Sequence, residues 1–143
     1  MDRFLQFFKL LMYLEGNYSN VSQDKGGKTR YGITEAVLKS YDPSLHIEDL
    51  DLETAKNIYK SLYFDKVYAH TDPKVHYHYF VLCFNSGHGN YIKCRRQTKD
   101  ILEVIVVWRK NFYYGVVKSD PLQQVFYKGW LNRLKIIGEF KFI

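Results

Sequence analysis

The chain has 143 residues, 46% apolar and 25% charged, a balance that suits one compact globular domain and excludes the disordered and collagen-like classes. Its net charge of +6 draws the surface toward polyanions, whether nucleic acid, membrane headgroups or an anionic cell wall, without choosing among them. Two cysteines, Cys83 and Cys94, are too few for a disulfide framework and read as buried reduced thiols, and with His88 between them they still lack the fourth ligand of a finger-like zinc site.

In chain order, Phe4, Phe8 and Leu11 recur at the spacing of an amphipathic helix, and Glu15 falls next on the same face. Lys9 interrupts this apolar run and no small-residue cleavage site follows it, so it reads as a helix of the folded protein and not as a signal peptide. Gly16-Asn17 ends the helix, and residues 19–32, rich in Ser, Asn, Asp and Gly, read as an exposed loop or short hairpin. Thr34 is placed to cap a short helix running to about Tyr41, and Asp51 to cap a clearer one striped by Ala55, Ile58, Tyr59, Leu62 and Tyr63.

After the break at Asp72-Pro73, the run from Val75 to Phe84 is apolar or aromatic almost all round, so it is a central buried helix or a strand, which periodicity alone does not decide; the helix is favoured, with His76 and His78 packed inside it in preference to a metal or proton-relay pair. Gly87-His88-Gly89 reads as a turn, followed by the basic stretch of Lys93, Arg95, Arg96 and Lys99 and the apolar run Ile101 to Trp108. A final helix from about Pro121 puts Leu122, Val125, Phe126 and Trp130 on one face. The predicted fold class is mainly α with a small β-hairpin, and no apolar run approaches the roughly 20 residues of a membrane span.

The segment richest in chemistry is Glu15-Gly16-Asn17-Tyr18, then Asp24-Lys25-Gly26-Gly27-Lys28-Thr29, then Tyr31-Gly32-Ile33-Thr34. Glycoside hydrolysis needs one protonated carboxyl and a second group that handles the water or the developing cation. Glu15 ends a helix, where the dipole is negative, and follows an apolar stripe; both conditions favour the protonated acid. Asp24 follows nine residues later in a loop of exposed N–H groups, where a carboxylate stays ionised. Thr29 and Tyr31 place hydroxyls near the same turn, and either can hold a water.

This segment resembles the signature of glycoside hydrolase family 108, whose members read roughly EGGY, DPGGxT and YGIT. The resemblance extends to Ile58-Tyr59 and Tyr63-Phe64, and in the second half to Asn85-Ser86-Gly87, Gln97 and Gly129-Trp130-Leu131-Asn132-Arg133. It departs at Asn17, where the family has Gly, at Lys25, where it has Pro, and in a shortened segment between Gln97 and Arg109. The resemblance implies an N-acetylmuramidase of the kind found as phage endolysins and so-called secretion activators, acting on bacterial peptidoglycan, with a lysozyme-like helical fold and Glu15 as the catalytic acid.

On this reading Asp24 acts opposite Glu15, either activating water or stabilising positive charge, with Thr29 orienting the water. Tyr18, Tyr31 and Asn85 contact the sugar, and no cofactor or metal is expected. The long loop with Gly26-Gly27 favours a wide separation of the two carboxyls, roughly 6.5–9.5 Å, which predicts inversion. Residues 1–73 form the muramidase-like segment and 74–143 a helical segment like a peptidoglycan-binding region, packed as one compact domain. With no signal peptide read, the protein is expected to be made in the cytoplasm and to reach the wall through a holin-like or other export route, or within a virion. Two competing readings are a peptidoglycan-binding or assembly module without turnover, and a nucleic-acid binder using Lys93, Arg95, Arg96 and Lys99 with Tyr91; no nucleic-acid motif accompanies that cluster.

Overall fold

The first apolar stripe becomes α1 (Arg3–Glu15), which buries Phe4, Phe7, Phe8, Leu10 and Leu11 and is started by Asp2, whose carboxylate accepts the Leu5 N–H at 3.2 Å. The computed structural model describes residues 2–15, 21–24 and 27–143, with residues 22–24 as backbone alone. They form two compact units, Met1–Lys66 and Val67–Ile143.

In the first unit, β1 (Ser22–Asp24), β2 (Gly27–Arg30) and β3 (Ile33–Thr34) form an antiparallel sheet in the order β1-β2-β3. Ser22 lies opposite Thr29, Asp24 opposite Gly27, and Thr29 also opposite Thr34. The expected hairpin is thus a three-stranded meander among the described residues, its last strand too short to show an alternating pattern in the sequence. Tyr31 (φ 53°) and Gly32 (φ 75°) make the two-residue turn between β2 and β3, both in the left-handed region that a type I′ hairpin turn requires.

Thr34 then caps α2 (Glu35–Tyr41) by accepting the Val37 N–H at 3.2 Å, and Asp51 caps α3 (Leu52–Leu62) by accepting the Thr54 N–H at 2.8 Å. A short 3-10 turn, Ile47–Asp49, braces the sheet: Lys28 pairs with the Glu48 carboxylate at 2.7 Å and Arg30 donates to the Glu48 carbonyl at 2.6 Å. The core of this unit is aromatic. Phe64 meets Phe4 and Phe7 edge-on at 5.2 and 5.8 Å, and Tyr59 meets Phe8 at 5.5 Å.

The second unit is helical throughout its described elements: α4 (Pro73–Ser86), α5 (His88–Thr98), α6 (Leu102–Ser119) and α7 (Gln124–Glu139). Asp72 caps α4 with Pro73 in its first turn, and Val75 through Cys83 are all buried, so the all-round apolar run is the central helix. The break after it is Gly87 alone (φ 90°). The expected three-residue turn is shorter because His88 and Gly89 already belong to α5, where the Asn90 side chain donates to the Ser86 carbonyl at 2.7 Å.

Between α5 and α6 the chain turns through Lys99 (φ 53°) and Asp100 (φ 62°), two left-handed residues that are not glycine. The Asp100 carboxylate fixes this corner by accepting from Tyr79 and, at 3.2 Å, from Arg95. Inside the unit, Arg109 is buried and reaches His78 Nδ1 at 2.8 Å and the Tyr113 hydroxyl at 2.5 Å. Burial and the Arg109 charge hold His78 well below its ordinary range, so the ring is neutral and Nδ1 accepts. Cys83 and Cys94 are free and buried, and burial pushes both thiols up to about 11.

The last helix departs from an ordinary amphipathic arrangement. Leu122, Val125 and Phe126 do share a face, but it is the outward one, while α7 is anchored by buried Leu134 and Ile137. Among the described residues no helix is long and apolar enough to cross a membrane. The architecture is mainly α with one small antiparallel sheet, as the sequence predicts.

Candidate active site

Glu15 is the last residue of α1, half-buried, and continues the row set by buried Leu11 and Phe8 one and two turns earlier. The helix therefore delivers the carboxyl at its end, with its base fixed by the aromatic core. Asp24 closes β1, its backbone paired with Gly27 across the ladder. Thr29 is half-buried in the middle of β2, between Ser22 on one side and Thr34 on the other. Asp24 and Thr29 are thus brought to one small sheet, two ladder positions apart.

Tyr31 is half-buried at the β2–β3 turn, with the Arg30 guanidinium 5.5 Å from its ring centre. Asn85 belongs to the second unit, exposed near the C-terminal end of α4. Tyr18 lies outside the described residues, and so do Gly26 and the residues that follow Glu15 directly.

One residue of this region stands in the sequence in a core stripe and in the family resemblance, but not among the expected site residues. Tyr59, fully buried in α3, donates its hydroxyl to the Tyr31 carbonyl at 2.8 Å while its ring packs on Phe8 of α1. It ties the helix that ends in Glu15 to the turn that carries Tyr31, and it satisfies a carbonyl of a residue held in the costly left-handed region. The signal for it in the sequence is a tyrosine where a leucine would fill the stripe: a buried Tyr needs a partner for its hydroxyl.

The Tyr31-Gly32-Ile33-Thr34 motif resolves into separate structural jobs. Tyr31-Gly32 forms the turn, Ile33 is buried under it, and Thr34 caps α2. The basic stretch on α5 is partly occupied in the same way: Arg95 lies 4.0 Å over the Tyr68 ring and pairs with Asp100, while Arg96 and Lys99 line an open concavity beside them.

The profile of the family described as glycosyl hydrolase 108 matches residues 8–87, a stretch that contains Glu15, Asp24, Thr29, Tyr31 and Asn85. A solved structure, that of Brucella abortus SagA, shares the fold with a TM-score of 0.67, covering 94% of this chain and 92% of that one at 20% identity. No curated protein sequence matches the chain. A helix that ends in a carboxylic acid, a small sheet that follows it at once and a family match across both lead to one conclusion: the chain belongs to glycosyl hydrolase family 108 and is a glycosidase.

Proposed function

We propose that the protein is a muramidase that hydrolyses the bond between N-acetylmuramic acid and N-acetylglucosamine in bacterial peptidoglycan, in the manner of a phage endolysin. The observation that carries this reading is the family match over residues 8–87 with a glutamate at the end of the helix that leads into the sheet. Glu15 gives its proton to the oxygen of the departing glucosamine as the bond from that oxygen to the muramic acid anomeric carbon breaks. Water attacks that carbon, and Asp24 takes the proton the water loses, with Thr29 orienting it. The product then carries a muramic acid reducing end of inverted configuration. Tyr18, Tyr31 and Asn85 serve as sugar contacts.

The experiment is a wall-lysis assay of Glu15→Gln. The amide keeps the shape and has no proton to give, so lysis falls by on the order of 10²-fold or more with an unchanged circular dichroism spectrum. Retention of more than about a tenth of the wild-type rate would assign the proton to another residue.

A further inference from the structure

The α6–α7 region presents an apolar surface that the glycosidase reading leaves unused. On α7 and the 3-10 turn before it, Leu122 is 78% exposed, Val125 76% and Phe126 53%. On α6, Val107 is 55% and Tyr114 60% exposed. Of these side chains Phe126 ends one ring stack, on Trp130 at 6.1 Å with Trp130 on Tyr113 at 5.1 Å, and Tyr113 meets edge-on, at 6.3 Å, a second stacked pair, Phe112 on Trp108 at 5.5 Å. The stack backs Phe126.

Charge is arranged around this face. Residues 67–143 hold twelve Lys and Arg against five Asp and Glu, whereas residues 1–66 hold nine against ten, so the whole positive excess of the chain lies in the second unit. Three exposed lysines neighbour the apolar groups at helical spacing: Lys110 follows Val107 by three positions, Lys118 follows Tyr114 by four, and Lys128 follows Val125 by three. Two acids border the apolar groups as well, Glu103 four positions before Val107 and Asp120, which accepts the Leu122 N–H at 3.2 Å, while Glu139 is the last residue of α7.

We propose that this face docks on an anionic lipid surface, its aliphatic and aromatic groups entering the headgroup boundary while the lysines meet lipid phosphates. The aliphatic groups Leu122, Val125 and Val107 gain from acyl chains, and the rings of Tyr114 and Phe126, exposed to a similar degree as Val107, suit the headgroup boundary beside them. A second copy of the chain would bring two strongly positive units together, whereas an anionic bilayer complements both the apolar groups and the charge. The contact is interfacial, because among the described residues no helix is long enough to span.

The test is sedimentation of the full chain with vesicles of phosphatidylcholine alone and with phosphatidylglycerol added, in low and high salt. We expect about tenfold or more tighter binding to the anionic vesicles, weakened by salt, with a blue shift of tryptophan emission. Val125→Asp with Phe126→Asp abolishes binding, and Lys110→Glu with Lys118→Glu and Lys128→Glu abolishes the preference for anionic lipid. Both variants change exposed positions, and circular dichroism checks that they fold; if the first does not, the lysine variant carries the test alone. Equal binding to both vesicles, no binding to either, or a dimer in solution that the aspartate variant dissolves would overturn the proposal. So would loss of binding to isolated peptidoglycan in the aspartate variant with no vesicle binding in the wild type. No wall is present in the vesicle assay, so its failure leaves the glycosidase reading standing.

Discussion

The two units of the chain differ in charge, in secondary structure and in what they leave exposed. The first is close to neutral, carries the sheet described here, and spends its polar groups on caps and turns: Thr34 on α2, Asp51 on α3, Glu48 on the sheet. The second is helical in its described elements, strongly basic, and hides a neutral histidine against a buried arginine while turning leucine, valine and phenylalanine outward. The contrast teaches that fold and chemistry are separable here. The first unit holds the helix end and the strand end that carry the two proposed carboxyls, and the second leaves apolar side chains exposed.

The largest expected effect breaks the first unit's chemistry and leaves the second alone. Asp24→Asn should keep the fold and lower turnover by on the order of 10²-fold, the scale of a lost general base. A lysis rate near that of the wild type would remove Asp24 from the mechanism and leave it a turn residue.

A smaller effect comes from the second unit's interior. The folded state holds His78 well below the ordinary value of 6.5, whereas the unfolded chain takes up a proton near that value. As pH falls below about 6.5 the unfolded state therefore binds more protons, and stability falls by at most about 1.4 kcal/mol per pH unit. His78→Gln, which can still accept from Arg109, should flatten this slope in urea midpoints measured between about pH 7.5 and pH 5, above the range where carboxylates contribute. The same slope in both proteins would contradict the account.

The smallest effect sharpens the picture of the first unit. Tyr59→Phe keeps the ring against Phe8 and removes only the hydrogen bond to the Tyr31 carbonyl, so stability should fall by about 1 kcal/mol. An unchanged urea midpoint would show that the hydroxyl does not hold the turn.

Legibility in the sequence follows the range of each interaction. The caps Thr34 and Asp51 act within three residues, and each stands where its helix begins, while Asp72-Pro73 reads as a break and proves to be a cap as well. The stripe of α3 is legible for the same reason, whereas the all-round apolar character of Val75 to Cys83 announces burial but leaves helix and strand open. The Tyr59 to Tyr31 bond spans 28 residues, and no local pattern announces it. The outward face of α7 shows the limit of periodicity: spacing groups Leu122, Val125 and Phe126 together, but does not say which side of the helix meets water. At the candidate site, Glu15 is legible as a helix end, whereas Tyr31 in the left-handed region is masked by Gly32, which alone would have explained the turn.

The central claim is that this glycosidase breaks the muramic acid to glucosamine bond. The most direct measurement is mass spectrometry of purified peptidoglycan digested with the wild-type protein and then reduced with borohydride. The account predicts that the reduced sugar at every new end is muramic acid. Reduced glucosamine at those ends, or freed peptide amines with intact glycan strands, would contradict it.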